Sequence, residues 1–249
     1  MENSGENLLI LVGLTGTGKT TTVNALRDVG LNFQLLPNRR AITDEYIIGY
    51  LQKLDGEPVV PVRDRTKRFG YTRRFREMFA GGMAEALREW LIVNGERLMV
   101  NGESLIFDGL RGENEIVRAV KLFPEARFLF LHAPDFVRVQ RLVQRQDAFD
   151  AVAVDGDGVD TAVLRNLAAD ILTNEELNQL LAQIANGEID AQELQAKLTI
   201  VRSERENYDP DATLQALQNL APDRLIFGDT VGNSPEEIAN QTLEKMRDS

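Results

Sequence analysis

Five short apolar runs punctuate the chain, and stretches whose apolar residues recur at helical spacing separate most of them. The first run, LLILV at residues 8–12, carries no polar position and has the length of a parallel strand buried on both faces. A Gly-rich turn leads from it into TTTVNALRDV, a helical pattern closed by Gly30. A short strand is expected over 32–36, ended by Pro37. Thr43 and Asp44 are then placed to cap a helix presenting Tyr46, Ile47, Tyr50, Leu51 and Leu54. Residues 55–71, rich in Gly, Pro and charge, read as loop. The spacing of Phe75, Met78, Phe79, Met83, Leu87 and Leu91 predicts one helix over 73–93, with Gly81 and Gly82 as its weak point.

Asn101 and Gly102 turn the chain into SLIFD, a second buried strand ending on Asp108. A helix over 113–123, a strand over 127–132 and a helix over 134–145 follow. This alternation predicts an α/β class, with a mostly parallel sheet covered by helices on both faces. It stops after Gln146 and resumes only with RLIFGD at 224–229 and a last helix opened by Ser234, Pro235, Glu236 and Glu237. Residues 1–146 and 223–249 are therefore expected to form the core, and 147–222 an inserted acidic helical subdomain. Within the insertion, Thr173 with Glu176 and Asp190 with Glu193 have capping-box spacing, and Asp209-Pro210 starts a further helix. Asp155, Asp157 and Asp160 suggest calcium only superficially. An EF-hand loop starting at Asp155 needs Gly at 160 and Glu at 166, where this chain has Asp160 and Asn166.

The turn after the first strand, GLTGTGKT, fits the spacing G-x-x-x-x-G-K-[ST] with Gly13, Gly18, Lys19 and Thr20. Glycines let backbone N–H groups converge on phosphate oxygens, and the following helix adds the positive end of its dipole. Gly13, Thr15, Gly16, Thr17, Gly18, Lys19, Thr20 and Thr21 are the expected nucleotide-binding residues. Lys19 reaches the β- and γ-phosphates, and the Thr20 hydroxyl is an expected magnesium ligand. Asp108, at the end of its strand, is the candidate carboxylate opposite this loop and the second expected magnesium ligand. The next residue is Gly109, where mechanical ATPases commonly carry a water-activating glutamate, and no N-K-x-D or T-K-x-D guanine-reading motif occurs. Both absences favour ATP and a kinase.

Composition narrows the chemistry further. No cysteine and one histidine, His132, exclude disulfides, thiolate nucleophiles and multi-histidine metal sites. His132 closes a core strand at the end where open sheets bind ligands, although a histidine there more often packs or caps. The start, MENSGEN, lacks the basic and apolar segments of a secretory signal, and no apolar run approaches membrane-spanning length, so a cytoplasmic protein without a membrane partner is expected. The net charge is -11, which opposes nucleic acid, but it is unevenly spread. Residues 1–146 hold 21 Lys/Arg against 18 Asp/Glu, and 147–249 hold 7 against 21. The first part suits anions. Within it, VRDRTKRFGYTRRFRE concentrates Arg68, Arg73 and Arg74 with four more cations around Phe69, Tyr71 and Phe75, which suggests an anionic small-molecule acceptor or an acidic partner. Asp44 and Glu45 are possible acceptor-side carboxylates, although helix capping explains them as well.

SLIFDGLRG, RFLFLHAPDFVRVQRLVQR and RLIFGDTVGNSPEEI together resemble the nucleoside monophosphate kinase-like branch of P-loop kinases, dephospho-coenzyme A kinase-like proteins in particular. GYTRRFR is faintly similar to the Tyr-Thr-Arg pattern of guanylate kinases. The resemblance covers about residues 8–145 and 224–246 and implies a P-loop NTPase fold, a mostly parallel five-stranded sheet flanked by helices, with 1–146 and 223–249 as its nucleotide-binding core and 147–222 as a lid-like insertion. It implies that Arg141 and Arg145 act as lid arginines on the transferring phosphoryl group, with Lys19 and Asp108 as the other catalytic residues. Arg111 is then an acceptor-side arginine beside Arg68, Arg73 and Arg74. Arg138, Arg141 and Arg145 share a face if helical, a pattern that a solvated face also produces. Two functions remain open: a phosphotransferase moving the γ-phosphoryl group of Mg-ATP to a small anionic acceptor, and a regulatory nucleotide-binding ATPase whose acidic insertion binds a protein partner.

Overall fold

The computed structural model describes residues 8–98, 103–145 and 160–247, with side chains given outside 65–66 and 96–98. The first strand is β1, Leu8–Val12, and every residue of it is buried. It is the middle strand of a five-stranded sheet with β2 (Phe33–Leu35), β3 (Ser104–Leu110), β4 (Arg127–His132) and β5 (Leu225–Asp229), in the order β2-β3-β1-β4-β5. The β1 pairs with β3 and β4, and the β2 pair with β3, are parallel. A run with no polar position can only be buried on both faces, and the pleat divides it accordingly. Leu8, Ile10 and Val12 join Leu105, Phe107, Phe128 and Phe130 on one face, and Leu9 and Leu11 join Ile106, Leu129 and Leu131 on the other. The second face is covered by α1 (Lys19–Asp28) and α12 (Pro235–Arg247) through Val23, Leu26, Ile238 and Ala239. This is the α/β P-loop NTPase fold.

The helices that cover the first face depart from the sequence pattern in two places. Asn38, not Thr43, is the cap: its side chain accepts from the Ala41 N–H at 3.0 Å, opening α2 (Arg39–Ile42). The Thr43 hydroxyl donates to the Arg39 carbonyl at 2.8 Å, and the chain runs through a π-helical turn, Thr43–Ile48, into α3 (Gly49–Leu54). The second departure lies in 55–71, which is not all loop. Asp64 accepts from the Lys67 N–H at 2.7 Å and starts α4 (Arg65–Met78). The expected single helix then breaks where Phe79 leaves helical geometry, and α5 (Met83–Leu98) begins beyond Gly81 and Gly82. The glycine pair is thus a boundary between two helices. Ile42, Leu51, Phe75, Met83 and Leu87 carry these elements onto the sheet, together with α6 (Glu113–Leu122) through Ile116 and Ala119.

The chain divides into two compact units. One comprises Met1–Gly13, Lys19–Leu131 and Pro210–Ser249; the other comprises Leu14–Gly18 and His132–Asp209. The second is helical: α7 (Asp135–Val143), α8 (Thr161–Ala168), α9 (Asn174–Ala185) and α10 (Ala191–Asn207). This division differs from the sequence pattern at both ends. α7 groups with the helical unit because Val139, Leu142 and Val143 are buried among Leu164, Leu180, Leu194, Leu198 and Val201. α11 (Pro210–Leu220) groups with the sheet unit because Ala216 and Leu217 join the cluster on the first sheet face. Thr173 and Glu176 form the expected capping box, whereas Asp190 caps α10 without a return bond from Glu193, whose carboxylate lies 4.0 Å from the Lys197 ammonium. Asp160 caps α8 by accepting from the Ala162 N–H, and Asp155 and Asp157 lie outside the described residues. Among the described residues, no helix is long and apolar enough to cross a membrane.

Two tests follow from this packing. At Gly109 a Cβ would stand 2.2 Å from the Cζ of Phe107, whose side chain is fully buried. Gly109→Ala is expected to lower the unfolding free energy by about 1–3 kcal/mol, the range for overpacking a filled core, as read by urea unfolding. At the start of α12, Glu237 accepts from the Ser234 N–H at 2.7 Å, which holds its carboxyl below the usual carboxylate range. A depressed carboxyl stabilises the fold above its unfolded pKa and loses that contribution as pH falls through the folded value. The stability difference between wild type and Glu237→Gln should therefore be largest at neutral pH and shrink below about pH 4.

Candidate phosphate-binding site

The loop leaves the sheet at Gly13, whose N–H donates to the Leu110 carbonyl of β3 at 3.1 Å. It is pinned internally by Thr17, whose hydroxyl donates to the Leu14 carbonyl at 2.9 Å. Gly16 has φ +86°, and a Cβ there would lie 3.1 Å from the Cα, Cβ and carbonyl oxygen of Arg138. Backbone conformation and close approach of α7 thus both require glycine at this position. Lys19 opens α1 and turns its ammonium back over the loop, donating to the Gly13 carbonyl at 2.8 Å. Thr20 and Thr21 are exposed on the first turn of α1, where the helix dipole favours an anion. A strand, an arched loop returning its lysine, and a helix N-terminus form the arrangement that GLTGTGKT predicts.

Side chains from α7 and α10 hold the loop from one side. Arg138 is 1% exposed and donates from Nε to the Thr15 carbonyl at 2.8 Å and from Nη1 to Asp135 Oδ1 at 2.5 Å. Its Nη2 donates to Glu204 Oε2, and Glu204 is itself 7% exposed. Glu204 accepts from the Thr15 N–H at 3.0 Å and from the Thr15 hydroxyl at 2.6 Å. Arg205 extends the chain of charges, with Nε 3.3 Å from Asp135 Oδ2. Arg141, one turn beyond Arg138, donates from Nη1 to the Gly16 carbonyl at 3.2 Å. Two α7 arginines therefore grip successive carbonyls of the loop. Removing one partner of a buried pair such as Arg138–Glu204 typically costs about 3–5 kcal/mol, because the other charge is left without compensation.

Asp108 is half-buried on β3. β3 does not end there but continues to Leu110, with a register shift opposite Ile10 to Val12. The turn after it is held by Glu115, 4% exposed, which accepts from the Arg111 N–H at 2.9 Å and is paired with Arg39 at 2.6 Å. Arg39 also donates to the Gly109 carbonyl at 2.7 Å. Asp108 and Arg111 thus stand on a segment fixed at three backbone points, if the Gly13 bond to Leu110 is included.

The basic segment lies on α4. Arg68 pairs with Asp44 and donates to the Val62 carbonyl at 3.0 Å. Arg74 forms a forked pair with Asp55 at 2.5 and 2.6 Å, which raises the guanidinium pKa and holds the Asp55 carboxyl below the usual carboxylate range. Arg73 is exposed. Two of the three cations expected at an acceptor therefore already face carboxylates, and Asp44 serves Arg68 instead of capping a helix. α7 ends at Val143, so Arg145 stands beyond its C-cap and not on a continuous face with Arg138 and Arg141.

Sequence reasoning missed Glu204, Asp135 and the burial of Arg138. Glu204 is 189 residues from Thr15 and sits in a charged helix, SEREN, with no local pattern that separates it from Glu206. The i, i+3 spacing of Asp135 and Arg138 was the one available signal.

No curated protein matches the chain. Among solved structures it is similar to a sugar kinase from Janibacter sp. HTCC2649, at 16% identity over 97% of this chain and 94% of that one with a TM-score of 0.41. A gluconokinase from Sinorhizobium meliloti 1021 aligns at 14% identity over 98% and 93% with a TM-score of 0.38. Shikimate kinase from Acinetobacter baumannii in complex with shikimate aligns at 13% over 97% and 93% with a TM-score of 0.37. A family match over residues 9–152 takes in the whole phosphate loop, Asp108 and α7, and on that match, which spans more than half of its 249 residues, the chain belongs to the AAA domain family AAA_18.

Proposed function

We propose that the chain is a small-molecule kinase of the nucleoside monophosphate kinase or dephospho-coenzyme A kinase type, transferring the γ-phosphoryl group of Mg-ATP to a small anionic acceptor. The observation that carries this reading is the hold of Arg141 on the Gly16 carbonyl, which attaches an arginine-bearing helix to the phosphate loop itself. Loop N–H groups from Gly16 to Thr21 receive the phosphates, and Lys19 swings from the Gly13 carbonyl to the phosphate oxygens. Thr20 and Asp108 fit magnesium, which takes few protein ligands and keeps waters and phosphate oxygens; among the described residues no cluster of three His, Cys, Asp or Glu offers a fuller cage. When bound, the ion neutralises charge on the phosphates. Arg141, whose guanidinium has further donors beyond Gly16, stabilises charge on the group in transfer together with Arg145. Arg111 and Arg73 receive the acceptor anion, and Arg68 and Arg74 join them by exchanging Asp44 and Asp55 for it. Phosphoryl transfer depends on positioning and charge more than on covalent help, so a chain without cysteine loses nothing.

The regulatory reading has one observation in its favour: α10 reaches the loop directly through Glu204. A switch would use that contact to report nucleotide to the helical unit.

Lys19→Ala is expected to weaken Mg-ATP binding at least about 100-fold in calorimetric titration, and unchanged affinity would remove the loop from the site. With γ-labelled ATP offered beside nucleoside monophosphates, dephospho-coenzyme A and sugar or acid acceptors, label should move to one acceptor. Asp108→Asn should slow that transfer at least about 100-fold with nucleotide still bound. Label found only in inorganic phosphate, or left on ATP, would instead favour the switch.

A further inference from the structure

The loop's third position, Thr15, has no polar group left over. Its N–H and hydroxyl both go to the Glu204 carboxylate, and its carbonyl takes the Nε donor of Arg138. A backbone N–H on a phosphate loop exists to meet an anion, and here an anion from the protein's own α10 already meets it. The contact is built to last: Glu204 is 7% exposed, Arg138 is 1% exposed, and Asp135 holds the other end of the same guanidinium. The N–H groups that follow Thr15 run toward the N-terminus of α1. In such a loop the backbone N–H groups cradle the inner phosphates and the lysine reaches the outer ones, and the Lys19 ammonium lies at the Gly13 carbonyl, two residues before Thr15.

Resting on the reading of the loop as a nucleotide site, we infer that Glu204 is a specificity-determining residue: an internal carboxylate in the place of the terminal phosphate. With Glu204 on Thr15, the loop accepts a nucleoside diphosphate, whose phosphates end short of the carboxylate. A nucleoside triphosphate brings a second anion to the same donors and must displace Glu204 or bind against it. Arg138 is what makes displacement reversible, since its guanidinium can pair with whichever anion is present while Asp135 keeps it in place. Phosphate count at the loop is thereby coupled to the position of α10.

The test is calorimetric titration of the full chain with Mg-ADP and with Mg-ATP, in wild type, Glu204→Gln and the double variant Glu204→Gln with Arg138→Met. The double variant replaces the buried pair by neutral side chains of similar size and so guards against a single variant that fails to fold. The wild type should bind Mg-ADP more tightly than Mg-ATP, and the ratio of the two dissociation constants should shift toward ATP by about tenfold or more in Glu204→Gln, and in the same direction but by less in the double variant, which also lacks the guanidinium that pairs with the incoming phosphate. Binding of ATP by the variants alone would support the inference most directly. A role in folding alone changes both affinities together and leaves the ratio untouched, so an unchanged ratio with normal nucleotide binding overturns the inference and spares the nucleotide reading. Failure of wild type and both folded variants to bind either nucleotide overturns both.

Discussion

The absence of any polar position in β1 constrains everything around it. Five consecutive side chains that water rejects require protein on both faces and a strand on each edge, and the chain meets that demand with β3 and β4 beside it and helices above and below. A strand so enclosed ends abruptly, and its last carbonyls and the first N–H groups beyond it have to be satisfied by whatever the next residues can arrange. Here they arrange an arch. Gly13 bonds to β3, Thr17 bonds within the arch, and Lys19 returns to Gly13, so the loop's shape is settled before any ligand is considered.

The same arch explains why polar groups accumulate around it. A loop whose N–H groups point inward for phosphate leaves its carbonyls pointing outward, and carbonyls near a packed helix need donors. Arg138 and Arg141, one turn apart on α7, supply them to Thr15 and Gly16. A buried guanidinium in turn needs carboxylates, which Asp135 and Glu204 provide. Each member answers a deficit left by the one before it, and the sequence ends with a carboxylate on a donor of the loop.

Much of this was legible in the amino-acid order, because the signals were local. The five strands, the phosphate loop and the cap at Ser234 with Glu237 rest on apolar runs, glycine spacing and residues three apart. Asn38, Asp64 and the π turn were not, since each depends on a choice between neighbouring caps that tertiary packing decides. Asn38 precedes Arg39, whose bonds to Glu115 and Gly109 fix where that helix must begin, and neither partner is near it in sequence. The assignment of α7 and α11 was illegible for the same reason: both are amphipathic, and periodicity says that a face is buried without saying against what. The acceptor-side cations show a different limit: their clustering is local, but Asp44 and Asp55, which pair with two of them, lie 24 and 19 residues away.

The separation between Thr15 and Glu204 also bears on how the protein is made. Synthesis delivers β1 and its loop first, yet the neighbour of Thr15 arrives 189 residues later and the edge strand Leu225–Asp229 later still. At roughly 5–20 residues per second, a ribosome takes on the order of ten seconds or more to supply them. For that interval the nascent chain holds an apolar strand without its full sheet and a loop with its donors open. The contact between Thr15 and Glu204 can therefore close only late in synthesis, long after the strand and loop that it holds have been made.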